Sequence, residues 1–306
     1  MLSLKDRYAL SKTPEHTGRM ADVFRAYDHA ERREVAVKLF KVGLRDDPVV
    51  RESFHRESQR LMDLRHPSLI RMLDFGEDGP DGRPYLVLEW GGEPLDRWLR
   101  QGAVFRDWAH FYRDVGRKLL EGIAYAHSRE TCHRELKPSD FLISPLDGEF
   151  RLADFGVSKF PEFLDQALDI AEFIRPNEPF SPERGYDAAY SAATDVWGYA
   201  VICLFALTQG KLDKWTQLAG VLATLQAPEA VRVIFGDALR PEAAERPPNA
   251  SVLLHLLDEA YGKLRQQPPS LPCGLVLSPK AKSPSENPLL PRNHASRRSM
   301  IRIIAA

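Results

Sequence analysis

Near residue 90 the hydrophobic pattern of the chain changes period, and that change limits the folds open to it more than any other feature. From Tyr8 to about Glu89 the apolar residues come in short β-type runs: VFRAYD from Val23, EVAVKLF from Glu34 and YLVLEW from Tyr85. One helix interrupts them, predicted over about 48–64, where Phe54, Leu61 and Leu64 make an apolar stripe among arginines and glutamates. The turn at His66, Pro67 and Ser68 stops it. After Gly91 and Gly92 the periodicity is helical, over 95–101, 107–127, 194–208, 215–223 and 251–265. A β-rich unit followed by a helical one is an α+β arrangement, and ligands commonly bind at such a join.

The 306 residues, 43% of them hydrophobic, suffice for a full core and exclude a disordered or collagen-like chain. A formal charge of −1 leaves no basic excess for nucleic acid, so none is expected as a partner. Cys132, Cys203 and Cys273 form neither a disulfide framework nor metal-binding spacing, which fits a reducing cytoplasm. The N-terminus lacks the pattern of a cleaved signal. The longest apolar run, 196–207, is short of the roughly twenty residues that a bilayer span needs, so it reads as a buried core helix and no membrane span is expected. Residues 266–306 differ in kind, with seven prolines and six basic residues against one acid, a net of +5 that leaves −6 on the body. They read as an extended tail or linker, ending in an apolar stretch that either docks or leads into a further domain. Ser296 and Ser299, beside Arg297 and Arg298, are candidate phosphorylation sites on it.

Chemistry concentrates in His133–Ile143, HRELKPSDFLI, followed at Asp154 by DFG after a short strand, and preceded far upstream by VAVK ending at Lys38. In this order and spacing the motifs resemble those of the protein-kinase family, over about residues 8–265. The resemblance implies a bilobal fold with a β-rich N-lobe (1–90), a helical C-lobe (91–265) and the tail (266–306). It implies ATP and Mg2+, with Mn2+ as an alternative metal, and a protein substrate or regulated partner protein. Lys38 matches the lysine that grips the α and β phosphates, and Glu57 matches its ion-pair partner. Asp154 matches the main metal carboxylate, and Phe155 should pack beneath the first helix. The Glu89 carbonyl and Gly91 amide would meet the adenine edge beyond Leu88, with Val23, Ala36 and Leu142 as apolar plates around the ring. Asp195 resembles the buried aspartate that holds the catalytic loop, and Arg246 is placed to pair with Glu183 of Ser181-Pro182-Glu183.

Several positions depart from the family pattern. Of the glycine-rich loop only Gly18 is kept, with His16 and Ala21 at the other glycine positions, implying a differently shaped lid over the phosphates. Glu135 stands where the family has its catalytic aspartate, one methylene longer, while Lys137 is retained. Asp140 replaces the asparagine that binds a second metal ion, adding negative charge beside Asp154. Pro176 occupies the place of the usual threonine, and Ser158 is the one hydroxyl residue between Val157 and Phe180, so a loop switched by phosphothreonine is not expected. Two functions follow: a serine/threonine-type kinase that transfers phosphate slowly, or a pseudokinase that serves as a nucleotide-binding regulatory or scaffolding module.

Overall fold

Asp28 shows how this sequence builds its first sheet. Strand β4 (Ala21–Asp28) and strand β5 (Arg33–Phe40) pair antiparallel along their whole length, and the Asp28 carboxylate closes the turn between them by accepting the amides of Ala30 and Glu31. Arg7 seals it with two hydrogen bonds, and this guanidinium, foremost among the causes, holds the Asp28 carboxyl below its ordinary range. The chain is described by a computed structural model over residues 3–18, 20–44, 46–155, 183, 190–212 and 214–266. Residues 1–266 form one unit, and 267–306, which carries Ser296 and Ser299, lies outside the described residues, as do Ser158 and Pro176.

Strands β1 (Ser3–Leu4), β2 (Tyr8–Leu10), β3 (His16–Thr17), β6 (Met72–Gly76) and β7 (Tyr85–Glu89) complete a sheet ordered β1-β2-β4-β5-β7-β6, with β3 paired to β4. Alternation along the strands divides its side chains between two apolar clusters. Ala21, Ala36, Phe40, Leu86 and Leu88 belong to the large cluster that continues into the helical part. Val35, Val37, Leu39 and Val87 belong to a separate cluster with Leu4, Tyr8 and Leu10. Helix α1 (Pro48–Met62) starts at Asp47, whose carboxylate accepts the Val49 amide, with Pro48 in the first turn. Its Phe54 and Leu61, with Leu64 just beyond its end, are buried as the stripe predicts.

A second, three-stranded sheet, β8 (Glu93–Pro94), β9 (Phe141–Ile143) and β10 (Phe150–Leu152), lies among the helices. These are α2 (Leu95–Arg100), α3 (Trp108–Phe111), α4 (Arg117–His127), α5 (Ala192–Leu207), α6 (Leu218–Thr224), α7 (Glu229–Ala238) and α8 (Ala250–Gln266). The single helix expected over 107–127 is interrupted by a π turn at Tyr112–Gly116. A side chain at Gly116 would stand 2.8 Å from both Phe111 and the Tyr199 hydroxyl, so glycine there lets α5 approach. Helix α5 is buried from Ala193 to Ala206, as a core helix must be when it is apolar all round. It begins two residues earlier than the sequence indicated because Ser191 and Thr194 cap it reciprocally. Among the described residues no helix is long and apolar enough to cross a membrane.

Candidate active site

Lys38 lies in the middle of β5, held between β4 and β7, opposite Val23 on one side and Leu86 on the other. Its ammonium reaches the Asp154 carboxylate at 2.8 Å, joining two residues 116 apart in sequence. Asp154 follows β10 and adopts left-handed backbone, φ 61°, a conformation costly for a residue with a Cβ. Around it the backbone is tightly stitched: the Leu152 amide donates to Ser68, the Ile70 amide to Leu152 and the Ala153 amide to the Asp140 carbonyl. Burial pushes the Asp154 carboxyl up, but the Lys38 charge and hydrogen bond outweigh it, and the group lies below its ordinary value.

Asp140 ends a 3-10 turn, Pro138–Asp140, and is buried. Its Oδ2 accepts the Lys137 amide at 3.2 Å and lies 3.7 Å from His133 Nε2, while Oδ1 stands 4.0 Å from the Lys137 ammonium. Burial pushes this carboxyl up to about 6, against the pull of Lys137 and His133 and with a further push from Asp154 and Glu135. Between roughly pH 4 and 6 the folded chain therefore holds a proton that the unfolded chain has released, so this group's share of stability falls as pH rises across that window. Asp140→Asn, which keeps an acceptor for the Lys137 amide, should abolish that share. Urea unfolding should find the variant about 3 kcal/mol more stable than wild type at pH 7.5, and equal to it near pH 4. A difference that does not change with pH would refute the assignment.

The loop from His133 to Lys137 is held from behind by Asp195 in the first turn of α5. Its two carboxylate oxygens accept the amides of Arg134 and His133, each at 2.7 Å, and His127 Nε2 approaches one of them at 2.8 Å. His127 Nδ1 accepts the Ala250 amide at 3.1 Å, so Nε2 must carry the proton and donate to Asp195. Cys132 lies close to this pair, but a metal ion would need the Nε2 lone pair that this tautomer lacks. The cluster therefore reads as a lock on the loop. Arg134 has φ 76°, and its own amide and that of the preceding residue are both bound by Asp195. Glu135 is exposed and Lys137 half-exposed, both on the solvent side of the loop.

Ala36 pairs with Leu88, and Val23 packs against the same apolar cluster. Leu142 lies on β9, so close to Gly91 that a Cβ there would come within 2.3 Å of its side chain. Glu89 donates its amide to the Arg71 carbonyl and accepts the Arg71 amide on its carboxylate. The Gly18 amide donates to the Ala21 carbonyl at 2.9 Å within the hairpin turn. Phe155 is buried in the cluster that contains Leu61 and Leu64, edge-on to the His133 ring. Glu183 pairs with Arg246 at 2.7 Å. Glu57 differs from expectation: its carboxylate stands 3.6 Å from Arg60, one turn along α1, while the ion pair that Lys38 makes among the described residues is with Asp154. The reason at the lysine end is that the Asp154 carboxylate, at 2.8 Å, takes the ammonium. His127 was not anticipated, because its partner lies 68 residues away and no local spacing signals the pair.

The family described as "Protein kinase domain" matches residues 17–251. The serine/threonine-protein kinase PknA of Mycobacterium tuberculosis is 32% identical over 212 residues, covering 66% of this chain and 46% of that protein. The serine/threonine-protein kinase PksC of Streptomyces coelicolor is 28% identical over 284 residues, covering 85% of this chain and 50% of that protein. This chain thus spans half or less of the length of these relatives. The crystal structure of the Mycobacterium tuberculosis PknI kinase domain superimposes with a TM-score of 0.63 at 18% identity, covering 85% of this chain and 97% of that one. With the kinase fold, the Lys38–Asp154 pair and the Asp195-anchored loop in place, the chain belongs to the protein kinase family and is similar in sequence to bacterial serine/threonine-protein kinases.

Proposed function

We propose that this kinase domain binds ATP with Mg2+, or Mn2+, and transfers the γ-phosphate slowly to a protein hydroxyl. The Lys38–Asp154 contact carries the reading, because a phosphate-gripping cation and a hard-oxygen metal ligand from distant segments meet at 2.8 Å. Two neighbouring carboxylates beside an ammonium suit Mg2+, and Asp154 and Asp140 would hold it. Bound metal would offset the negative charge of the phosphates. Lys38 would orient the α and β phosphates, and Lys137 would stabilise charge on the transferred group. Glu135, exposed in the middle of the loop, would take the proton of the incoming hydroxyl as its oxygen bonds to γ-phosphorus and the bond to the β-phosphate bridge breaks. Val23, Ala36 and Leu142 would enclose the adenine, with the Glu89 carbonyl and Gly91 amide on its edge, at the join of the two lobes near residue 90. Partners would be protein substrates, met in the cytoplasm.

A second reading, a nucleotide-binding regulatory module without transfer, is favoured by one observation: Glu57 faces Arg60 and not Lys38. Two measurements on the full chain separate the readings. Millimolar ATP with Mg2+ should raise the melting temperature, since a ligand at about 100 times its dissociation constant adds roughly 2.7 kcal/mol. Radiolabelled transfer should be weak in wild type, lost in Lys38→Met, and raised about 10- to 100-fold in Glu135→Asp/Asp140→Asn, which moves the base and removes a charge. A melting shift without transfer in any variant would favour the regulatory module. No shift with any metal would overturn nucleotide binding altogether.

A further inference from the structure

His16 occupies a loop position where the family has glycine, and its side chain lies on the side of the hairpin that serves the site. Residues directly opposite in an antiparallel pair project to one face. His16 is opposite Val23, and Val23 is opposite Lys38, so the imidazole shares its face with the ammonium that reaches Asp154. The strand is pinned in this register by the Glu15 amide, which donates to the Val23 carbonyl at 2.8 Å. The ring also leans toward the tip of the hairpin, because a Cβ built on Gly18 would stand 3.9 Å from His16 Nε2. At that tip the Gly18 amide is spent on the Ala21 carbonyl. The imidazole of His16 is exposed and, among the described residues, makes no side-chain hydrogen bond or ion pair.

We infer that His16 is a phosphate-contacting residue of the nucleotide site, whose imidazole N–H takes over part of what loop amides do in relatives with a full set of glycines. This rests on the ATP-site reading above and adds a side-chain determinant to it. Imidazole donates an N–H in either protonation state, so the contact does not depend on charge, although charge strengthens it. The consequence is selectivity along the ligand: His16 favours nucleotides over the bare nucleoside.

Calorimetric titration of the full chain with Mg2+-ATP, Mg2+-ADP and adenosine tests this in wild type, His16→Ala, His16→Gln and His16→Gly. His16→Ala should weaken ATP and ADP about tenfold and leave adenosine unchanged, as expected for a lost hydrogen bond to a charged group. His16→Gln, which keeps an N–H donor, should stay within about twofold of wild type. Since His16 is exposed, melting temperatures without ligand should agree among all four proteins. Unchanged ATP affinity in His16→Ala, tighter ATP in His16→Gly, or equal losses for adenosine and ATP would each overturn the inference while leaving ATP binding intact. Absence of ATP binding by wild type would overturn the site reading and the inference together.

Discussion

Asp195→Ala should cost on the order of 5 kcal/mol of folding free energy. Three donors end on this one buried carboxylate: the amides of His133 and Arg134 and the imidazole of His127. Removing the acceptor leaves each donor unsatisfied in the interior, at about 1–3 kcal/mol apiece. None has an easy substitute, because the His127 ring is fixed on its other side by the Ala250 amide. Asp195→Asn keeps one carbonyl oxygen but turns an NH2 group toward the remaining donors, so it should lose roughly half as much. Under the proposed transfer reaction the rate should fall as well, since Glu135 and Lys137 extend from the same loop and a displacement of about 1 Å at a reacting centre costs on the order of 10²-fold, roughly 2.7 kcal/mol and so less than the cost to folding. Urea unfolding of the full chain with Asp195→Ala, read by far-UV circular dichroism, measures the first effect. A loss below about 1 kcal/mol would mean that the loop is held by something else.

Arg246→Ala should destabilise the chain by about 3–5 kcal/mol, the usual result of leaving one half of a buried ion pair behind. Here the guanidinium is wholly enclosed, and each of its three nitrogens has a partner. It meets the Glu183 carboxylate at 2.7 Å, donates to the carbonyls of Ala193, Arg240 and Pro241, and lies over the Trp197 ring. Four acceptors disposed around a planar fork cannot be matched by an ammonium, so Arg246→Lys should recover less than half of the loss. Equal stability of the lysine and arginine proteins would show that charge alone matters at this position, contrary to the geometry.

Legibility in the sequence followed the range of the interactions involved. Runs such as EVAVKLF declare a strand because Val35, Val37 and Leu39 alternate with other residues in a short run, and the all-apolar stretch of α5 declares a core helix because it is uniformly apolar over about twelve residues. Helix α7 escaped notice for the same reason in reverse: Val231, Val233, Ile234 and Phe235 look like a strand, and the helical spacing of Val231, Phe235 and Ala238 emerges only when burial is known. Strands β1 and β2 are too short to carry a period, and pairing of β2 with β4 and of β1 with β2 makes them. Among site residues, ordered motifs were enough to nominate Lys38, Asp154, Asp195 and Arg246. They were not enough to say that Lys38 would meet Asp154 while Glu57 turned to Arg60, because a motif names a residue and leaves open which of two nearby charges it will face. The Arg60 competitor was visible three residues along the helix, where i,i+3 pairs are neighbours.

The two apolar clusters that share the first sheet also bear on where this domain can be cut. The family match begins at residue 17 and ends at 251. Trimming to those limits would discard Leu4, Tyr8 and Leu10, and with them the cover over Val35, Val37, Leu39 and Val87, while freeing the β4 edge that β2 occupies. It would also remove nearly all of α8, whose Leu253 and Leu257 are buried and whose Asp258 receives hydrogen bonds from Tyr112 and Arg117. Bared apolar faces and an open strand edge are templates for aggregation. The segment that homology recognises is therefore smaller than the segment that folds, and recombinant work on this chain should set its boundaries by the buried residues at 4 and 260, not by the limits of sequence similarity.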